Sequence, residues 1–394
     1  MLGSIILDLV LVGILVGYLV YGYRTGLVRS LGGIVGVVVG AFAAILLVPI
    51  VTNWVEDPTL RTGVILAVVA AVVVGGYSGG AAIGGVIQRR MKRGGLRRID
   101  RALGAILTTI VAALVVSMLA TSIAALGVPG LSQAISSSAV LRGIAAITPV
   151  PVQSFLAQVR SATVDQSLPR IAQAFGGGDS GEIPNVNTDN PALNRASQSV
   201  VRITGNAYAC GQSQSGSGFV VTNERVITNA HVVAGVAHPV VDVRGGPALQ
   251  ATVVYFDPVG DLAVLEVPGL ALRPLALGPN VAAGTHAVSD GYPFGGPFVS
   301  TPVGVQQLGT IDVQNIYGTG QSPREVYSLA ANIQEGDSGG PLLTTSGTVA
   351  GVVFAKGAKT ADVGYAISMK SVAPVAKKAH LLNTAVSSGR CTRG

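Results

Sequence analysis

Four long apolar runs in the first third of the chain constrain its fold more than any other feature. They extend from about Ile5 to Tyr21, Leu31 to Val51, Gly63 to Ile83 and Leu103 to Leu126. Each is close to the ~20 residues a helix needs to cross the hydrocarbon of a bilayer. A helix is the natural form for such a run, because it satisfies its backbone polar groups internally. The chain of 394 residues is 49% hydrophobic and 11% charged, but that average describes no single part of it. Apolar residues concentrate before residue 130, and the remainder reads as a water-soluble domain. A cleaved signal peptide fits the first run poorly, since it lacks a basic start and three more runs follow.

The loops between the runs predict an orientation. The first holds Arg24 and Arg29, and the second holds Glu56, Asp57 and Arg61. The third, Arg89 to Arg101, gathers seven basic residues. Positive loops stay in the cytoplasm. Both chain ends, and everything after about residue 127, are therefore expected on the extracytoplasmic side. The formal net charge of +7 does not indicate nucleic acid as a partner, because no aromatic residues interleave with the basic cluster.

Gly32, Gly36 and Gly40 recur at four-residue spacing, as do Gly76, Gly80 and Gly84. Such small faces let helices approach closely, within one chain or between two. Asp8 is an acidic residue inside the first run, read either as an intramembrane polar site or as a residue at the outer interface. The segment Tyr21-Gly22-Tyr23-Arg24-Thr25-Gly26-Leu27-Val28 follows. With the early Asp8 it resembles the start of the colicin V production (CvpA-like) membrane proteins, over roughly residues 1–130.

Residues 131–175 are expected to form a connector, with Ile144, Phe155, Leu156 and Val159 on a short helix or in plain coil. Gly176 to Pro191, GGGDSGEIPNVNTDNP, reads as a flexible polar linker. From Ala192 onward short β-rich runs are separated by Gly, Pro and Asn, the pattern of an all-β barrel or sandwich. The expected strands are Ser199–Ile203, Gly218–Thr222, Arg225–Ile227, Val240–Val243, Thr252–Phe256, Ala263–Val267, Thr285–Ser289, Val326–Leu329, Val349–Phe354 and Gly364–Ile367. The predicted organisation is a membrane helix bundle over 1–130, a connector and linker over 131–191, and an all-β domain over 192–394.

The sharpest motif is Gly336-Asp337-Ser338-Gly339-Gly340-Pro341. A serine hydroxyl is a weak nucleophile until a base takes its proton, and its reaction needs donors aimed at the oxyanion that forms. Flanking glycines allow a tight turn that points the Gly336 and Ser338 N–H groups inward. The candidate bases are His231, His238, His286 and His380. Only His231 has specific surroundings, a β-run ending in Thr228-Asn229-Ala230. Asp261, immediately before the apolar run Leu262–Leu265, is the candidate to orient the imidazole. Asp257 is better placed as a turn residue before Pro258.

TNAHVV, DLAVLEV and GDSGGP occur in the order His, Asp, Ser. Together they resemble the chymotrypsin-like serine proteases, and DLAVLEV is most similar to their bacterial HtrA branch. The resemblance implies two six-stranded β-barrels with a cleft between them. It also implies His231 as general base, Asp261 as orienter, Ser338 as nucleophile and Gly336 as an oxyanion-hole donor. Asn332 falls where that family places the floor of the specificity pocket. No activation site precedes Ser199, so Asp337 is expected only to shape the oxyanion loop.

Cys210 and Cys391 are the only cysteines. They are expected to pair as one disulfide in an oxidising compartment, with two separate buried thiols as the alternative. The combination of membrane runs, protease motifs and one cysteine pair resembles the actinobacterial membrane-bound acid-resistance (MarP-like) serine proteases. That implies a role in acid or oxidative stress at the cell envelope. The expected activity is extracytoplasmic peptide hydrolysis through an acyl-enzyme, without cofactor or metal. Proteins and the chain's own linker are the candidate substrates. A catalytically latent peptide-binding sensor and a membrane scaffold are the competing readings.

Overall fold

The computed structural model describes residues 2–54, 58–90, 95–124, 129–161, 169–171, 181–207, 212–358, 360 and 362–392. Glu56, Asp57, the middle of the basic cluster, residues 176–180 of the expected linker, and Cys210 lie outside these. The chain divides into two compact units, residues 8–116 and residues 1–7 together with 117–394.

The apolar runs are helices: α1 (Leu2–Thr25), α2 (Leu27–Trp54), α3 (Pro58–Arg90) and α4 (Gly95–Ala124). Each contains a stretch long and apolar enough to cross a membrane. Several run beyond the limits read from hydropathy, α3 to Arg90 and α4 from Gly95. Hydropathy marks what lipid can cover, whereas backbone hydrogen bonding continues into the polar flanks.

Gly26, at φ +82°, separates α1 from α2. The first N–H groups of a helix have no partner within it, and here a side chain of α4 supplies one. Val28 N–H donates to Asp100 Oδ1 at 3.1 Å. Gln88 of α3 donates to Asp100 Oδ2 at 2.7 Å and to Thr25 O at 2.8 Å. Asp100 is buried, and its capping role was hidden in the sequence inside a basic cluster. The two glycine series face each other across α2 and α3. A Cβ on Gly36 would overlap the Gly76 carbonyl, and one on Gly80 the Gly32 carbonyl. The stripe thus joins two helices of one chain.

Within the other unit, the connector is three helices, α5 (Pro129–Ser137), α6 (Ala139–Ile147) and α7 (Val150–Ser161). Ser138 caps α6 through Leu141 N–H at 3.1 Å, and α6 and α7 bend by 112° at the intervening break. Residues 181–190, expected as flexible linker, lack regular structure but lie on the β domain. Val186 packs against its core, and Asn190 caps the short helix α8 (Pro191–Ala196).

The first barrel holds β2 (Val200–Ala207), β3 (Gln212–Thr222), β4 (Arg225–Thr228), β5 (Val240–Asp242), β6 (Ala248–Gln250), β7 (Thr252–Asp257) and β8 (Leu262–Glu266). Their antiparallel order is β6-β5-β2-β3-β4-β8-β7. β6 and β7 are two arms of one stretch bent at Ala251, so chain continuity closes the sheet. The short helix α9 (Ala230–Val233) follows β4.

The second barrel holds β9 (His286–Gly291), β10 (Val299–Gln314), β11 (Gln321–Ala330), β12 (Pro341–Thr344), β13 (Val349–Gly357) and β14 (Val363–Ser368), closed by the β13–β14 pairing. β1 (Arg170–Ile171) adds in parallel at the end of β13, and helix α10 (Met369–Lys378) follows β14.

The run Leu262-Ala263-Val264-Leu265 shows why these strands read as continuous apolar stretches. Ala263 and Leu265 fill the first barrel. Leu262 and Val264 face a core shared with the second barrel through Val288, Leu343 and Val352. A strand buried on both faces has no polar alternation. β10 was absent from the sequence expectations. Pro302, Gly304 and Gly309 interrupt it, one face is partly exposed, and its register shifts between Val305 and Gln307. β6, β12 and β1 were also missed, being at most four residues long.

Candidate active site

β4 delivers the chain to Asn229, and α9 then turns His231 toward β8. The Asp261 carboxylate meets the imidazole Nδ1 at 3.0 Å (Oδ1) and 2.8 Å (Oδ2), and accepts the His231 N–H at 3.0 Å. An ionised carboxylate can only accept, so Nδ1 carries the proton and Nε2 is left as the base. Asp261 itself sits at φ +55°, an uncommon backbone for a non-glycine residue. Two contacts hold it there. Asn229 Nδ2 donates to Asp261 O at 2.8 Å, and Asp257 Oδ1 accepts from Val259 and Gly260 N–H, each at 2.9 Å. Asp257 is therefore the turn former. Both members of the His–Asp pair are buried.

Ser338 lies in a turn shaped by Gly336 (φ +95°) and Gly339 (φ +86°). A Cβ on Gly336 would overlap Tyr292 O, and one on Gly339 would overlap Ser217 O and Thr228 Oγ1. Only glycine fits at these two places. Among the described residues, neither Gly336 N–H nor Ser338 N–H has a backbone acceptor, which leaves both available to an oxyanion. Among the described residues Ser338 Oγ is buried without a hydrogen-bond partner, so the serine–imidazole bond is not formed in this resting geometry.

Ser217 of β3 was not singled out in the sequence, yet it clamps this turn. Its N–H donates to Ser338 O at 2.7 Å. Its hydroxyl donates to Gly336 O at 2.7 Å and accepts from Tyr292 N–H at 3.0 Å. The only sequence signal was a serine between Gly216 and Gly218. Two acids are buried nearby. Asp337 accepts from Gln334 N–H at 2.9 Å, and burial pushes its carboxyl up to about 7. Asp290 accepts from Ser300 Oγ at 2.6 Å, while its other oxygen has no hydrogen-bond partner among the described residues. Burial pushes it up to about 6, against the pull of Ser300 and Arg244.

A cleft of about 470 Å³ opens beside His231 and Asp261, bordered by Tyr317, Arg324 and Phe354. Its edge on β13 is taken by the chain itself, with Lys356 N–H donating to Pro169 O at 3.1 Å and Ala358 N–H to Ile171 O at 3.0 Å. The edge thus accepts an extended strand. Asn332 is exposed and accepts from Gln334 Nε2, so it does not form a buried pocket floor. The specificity position read for it came from the family resemblance, and the loop carries its side chain outward. His286 and His380 are exposed, and His238 lies near Gln250. None of the three joins the cluster. Cys391 lies against Gly235, just after α9.

Two closed barrels, a His–Asp pair on one and a glycine-flanked serine on the other define a serine peptidase of the trypsin-like class. Residues 216–352 match the trypsin-like peptidase domain, and residues 7–149 match the colicin V production protein family. The chain is 33% identical over 362 residues to the serine protease Rv3671c of Mycobacterium tuberculosis, covering 89% of this chain and 90% of that protein. A shorter match, 32% over 160 residues, is to the Do-like serine protease HtrB of Bacillus subtilis, covering 38% of this chain and 34% of that one. The crystal structure of the Rv3671c protease in its active form is similar with a TM-score of 0.52 and 34% identity, covering 57% of this chain and 100% of that one. The chain belongs to the family of the mycobacterial serine protease Rv3671c, and in this chain a colicin V-type domain precedes the trypsin-like peptidase domain.

Proposed function

We propose that this chain is an extracytoplasmic endopeptidase anchored by α1–α4, with His231, Asp261 and Ser338 as its catalytic triad. One observation carries the reading: Asp261 holds His231 by both its ring and its backbone N–H, next to a serine turn with two unengaged N–H groups. His231 Nε2 takes the Ser338 proton as Oγ attacks the peptide carbonyl. Gly336 and Ser338 N–H receive the oxyanion. The imidazolium then gives its proton to the leaving amine, and water releases the acyl-enzyme. The basic third loop supports the orientation.

Envelope proteins are the substrate class, with the chain's own 176–191 segment as a further candidate. N-terminal sequencing that always finds this segment intact would remove that candidate. The two acids that burial holds toward their neutral form support work in an acidified envelope. The Cys210–Cys391 disulfide would pin the C-terminal tail beside α9, where Gly235 N–H already donates to Ser388 O at 3.1 Å. Unchanged activity in Cys391→Ser would rule out that role.

The unbonded Ser338 hydroxyl and the occupied β13 edge favour a second reading, a latent peptide-binding sensor. Fluorophosphonate labelling of the full chain in detergent separates the two. Labelling of wild type and not of Ser338→Ala is expected of the protease. Absence of labelling in both, in the presence of peptide, is expected of the sensor.

A further inference from the structure

Arg324 is a buried cation that the triad chemistry does not use. It lies on β11 with 5% of its surface exposed. Its guanidinium donates to Val259 O, two residues before Asp261, and its Cζ lies 5.5 Å from the centre of the Phe354 ring. It borders the same cleft as His231 and Asp261. Burying a guanidinium is costly unless opposite charge compensates it. Among the described residues Arg324 makes no ion pair at contact distance. The carboxylates whose charge acts on it are Asp261 first, then Asp257. Asp261 spends its contacts on His231, so Arg324 acts on that carboxylate through charge and not by competing for its oxygens.

The chemistry follows from the sign of that charge. A carboxylate beside an imidazole favours the protonated ring, which cannot act as a base. A cation facing the same carboxylate opposes that preference. We propose that Arg324 is a positioning residue of the proteolytic site, holding the turn before Asp261 and offsetting its charge so that peptide hydrolysis persists into mild acid. This rests on the protease reading above.

Other charged groups near the imidazole are few. Asp312 and Tyr317 border the cleft, and Arg390 stacks on Tyr317 at 4.6 Å. Asp312 is exposed, where solvent weakens its field. α9 carries no charged residue besides His231, and β3 behind it carries none. Arg202 of β2 is paired with Asp242 and Glu266 of β8 with Arg225. Beneath the serine turn lie Asp290 and Asp337, the buried acids already described. Arg225 and Arg324 are both buried, but Arg225 is paired with Glu266, whereas Arg324 has no ion pair at contact distance among the described residues.

The test is the pH dependence of kcat/KM for peptide hydrolysis by the full chain in detergent, with fluorophosphonate labelling in parallel. Arg324→Gln should still label at pH 8, while the acidic limb of its profile moves to higher pH by roughly one unit. Arg324→Lys keeps the charge, and its limb should stay at the wild-type position. A labelled Arg324→Gln with lower kcat and an unmoved limb would overturn the charge role and leave the protease reading intact. If Arg324→Gln does not fold, Arg324→Lys decides, and a limb displaced by half a unit or more overturns the proposal. A wild type that neither labels nor hydrolyses overturns the protease reading itself, and this role with it.

Discussion

Glycine is abundant in both the helical unit and the barrels, and it has opposite uses there. Along α2 and α3 the glycines are ordinary helical residues whose missing Cβ lets two backbones meet, Gly36 against Gly76 and Gly80 against Gly32. Around Ser338 the glycines at 336 and 339 have positive φ and shape a turn in which, among the described residues, the Gly336 and Ser338 N–H groups have no backbone acceptor. The first use is packing and tolerates no added volume. The second is conformation, and a polar clamp, Ser217, fixes it. Stability and catalysis should therefore separate between the two regions.

Ser338→Ala breaks the comparison most sharply. Hydrolysis should fall by about a hundred-thousand-fold or more, while thermal unfolding, followed by circular dichroism, stays as in wild type. A large loss of stability would mean the serine hydroxyl supports the fold.

The next effect concerns pH. Asp337 keeps a proton up to about 7 in the folded chain, whereas an unfolded aspartate releases it near 3.9. Between those values the folded state binds more protons than the unfolded one, so stability falls as pH rises through that window. Asp337→Asn cannot ionise. It should flatten this slope and stabilise the chain at pH 8 by as much as about 4 kcal/mol. Unfolding measured at pH 4.5 and pH 8 checks this, and an unchanged slope would show that Asp337 is ionised throughout.

Gly36→Ala comes third. Overpacking α2 against α3 should cost about 1–3 kcal/mol, read as a lower unfolding temperature in detergent, with fluorophosphonate labelling preserved. Loss of labelling with an unmoved transition would contradict the separation of the two regions. Ser217→Ala is the smallest. Losing the bond to Gly336 O and the partner of Tyr292 N–H should lower kcat about tenfold with little change in KM. An equal fall in labelling rate places the defect in the chemical step.

Legibility followed the range of the forces involved. The four helices were readable because lipid solvation demands a long apolar run. DLAVLEV and GDSGGP were readable because burial on two faces and a tight glycine turn each leave a local pattern. β10 was obscured, since Pro302 and two glycines break its pattern while neighbouring strands supply its pairing. Asn332 was placed by resemblance to the family's pocket position, and the loop turns it outward.

By itself, the sequence determined the membrane runs, the double-barrel class and the identity of the candidate triad residues, because those depend on local composition and short-range backbone chemistry. Tertiary structure alone decided that Asp100 caps α2, that Ser217 holds the serine turn and that Arg324 faces the cleft of Asp261. Their partners lie far away along the chain, and a side chain's charge or hydroxyl acquires a role only when folding brings a distant backbone group or carboxylate within reach.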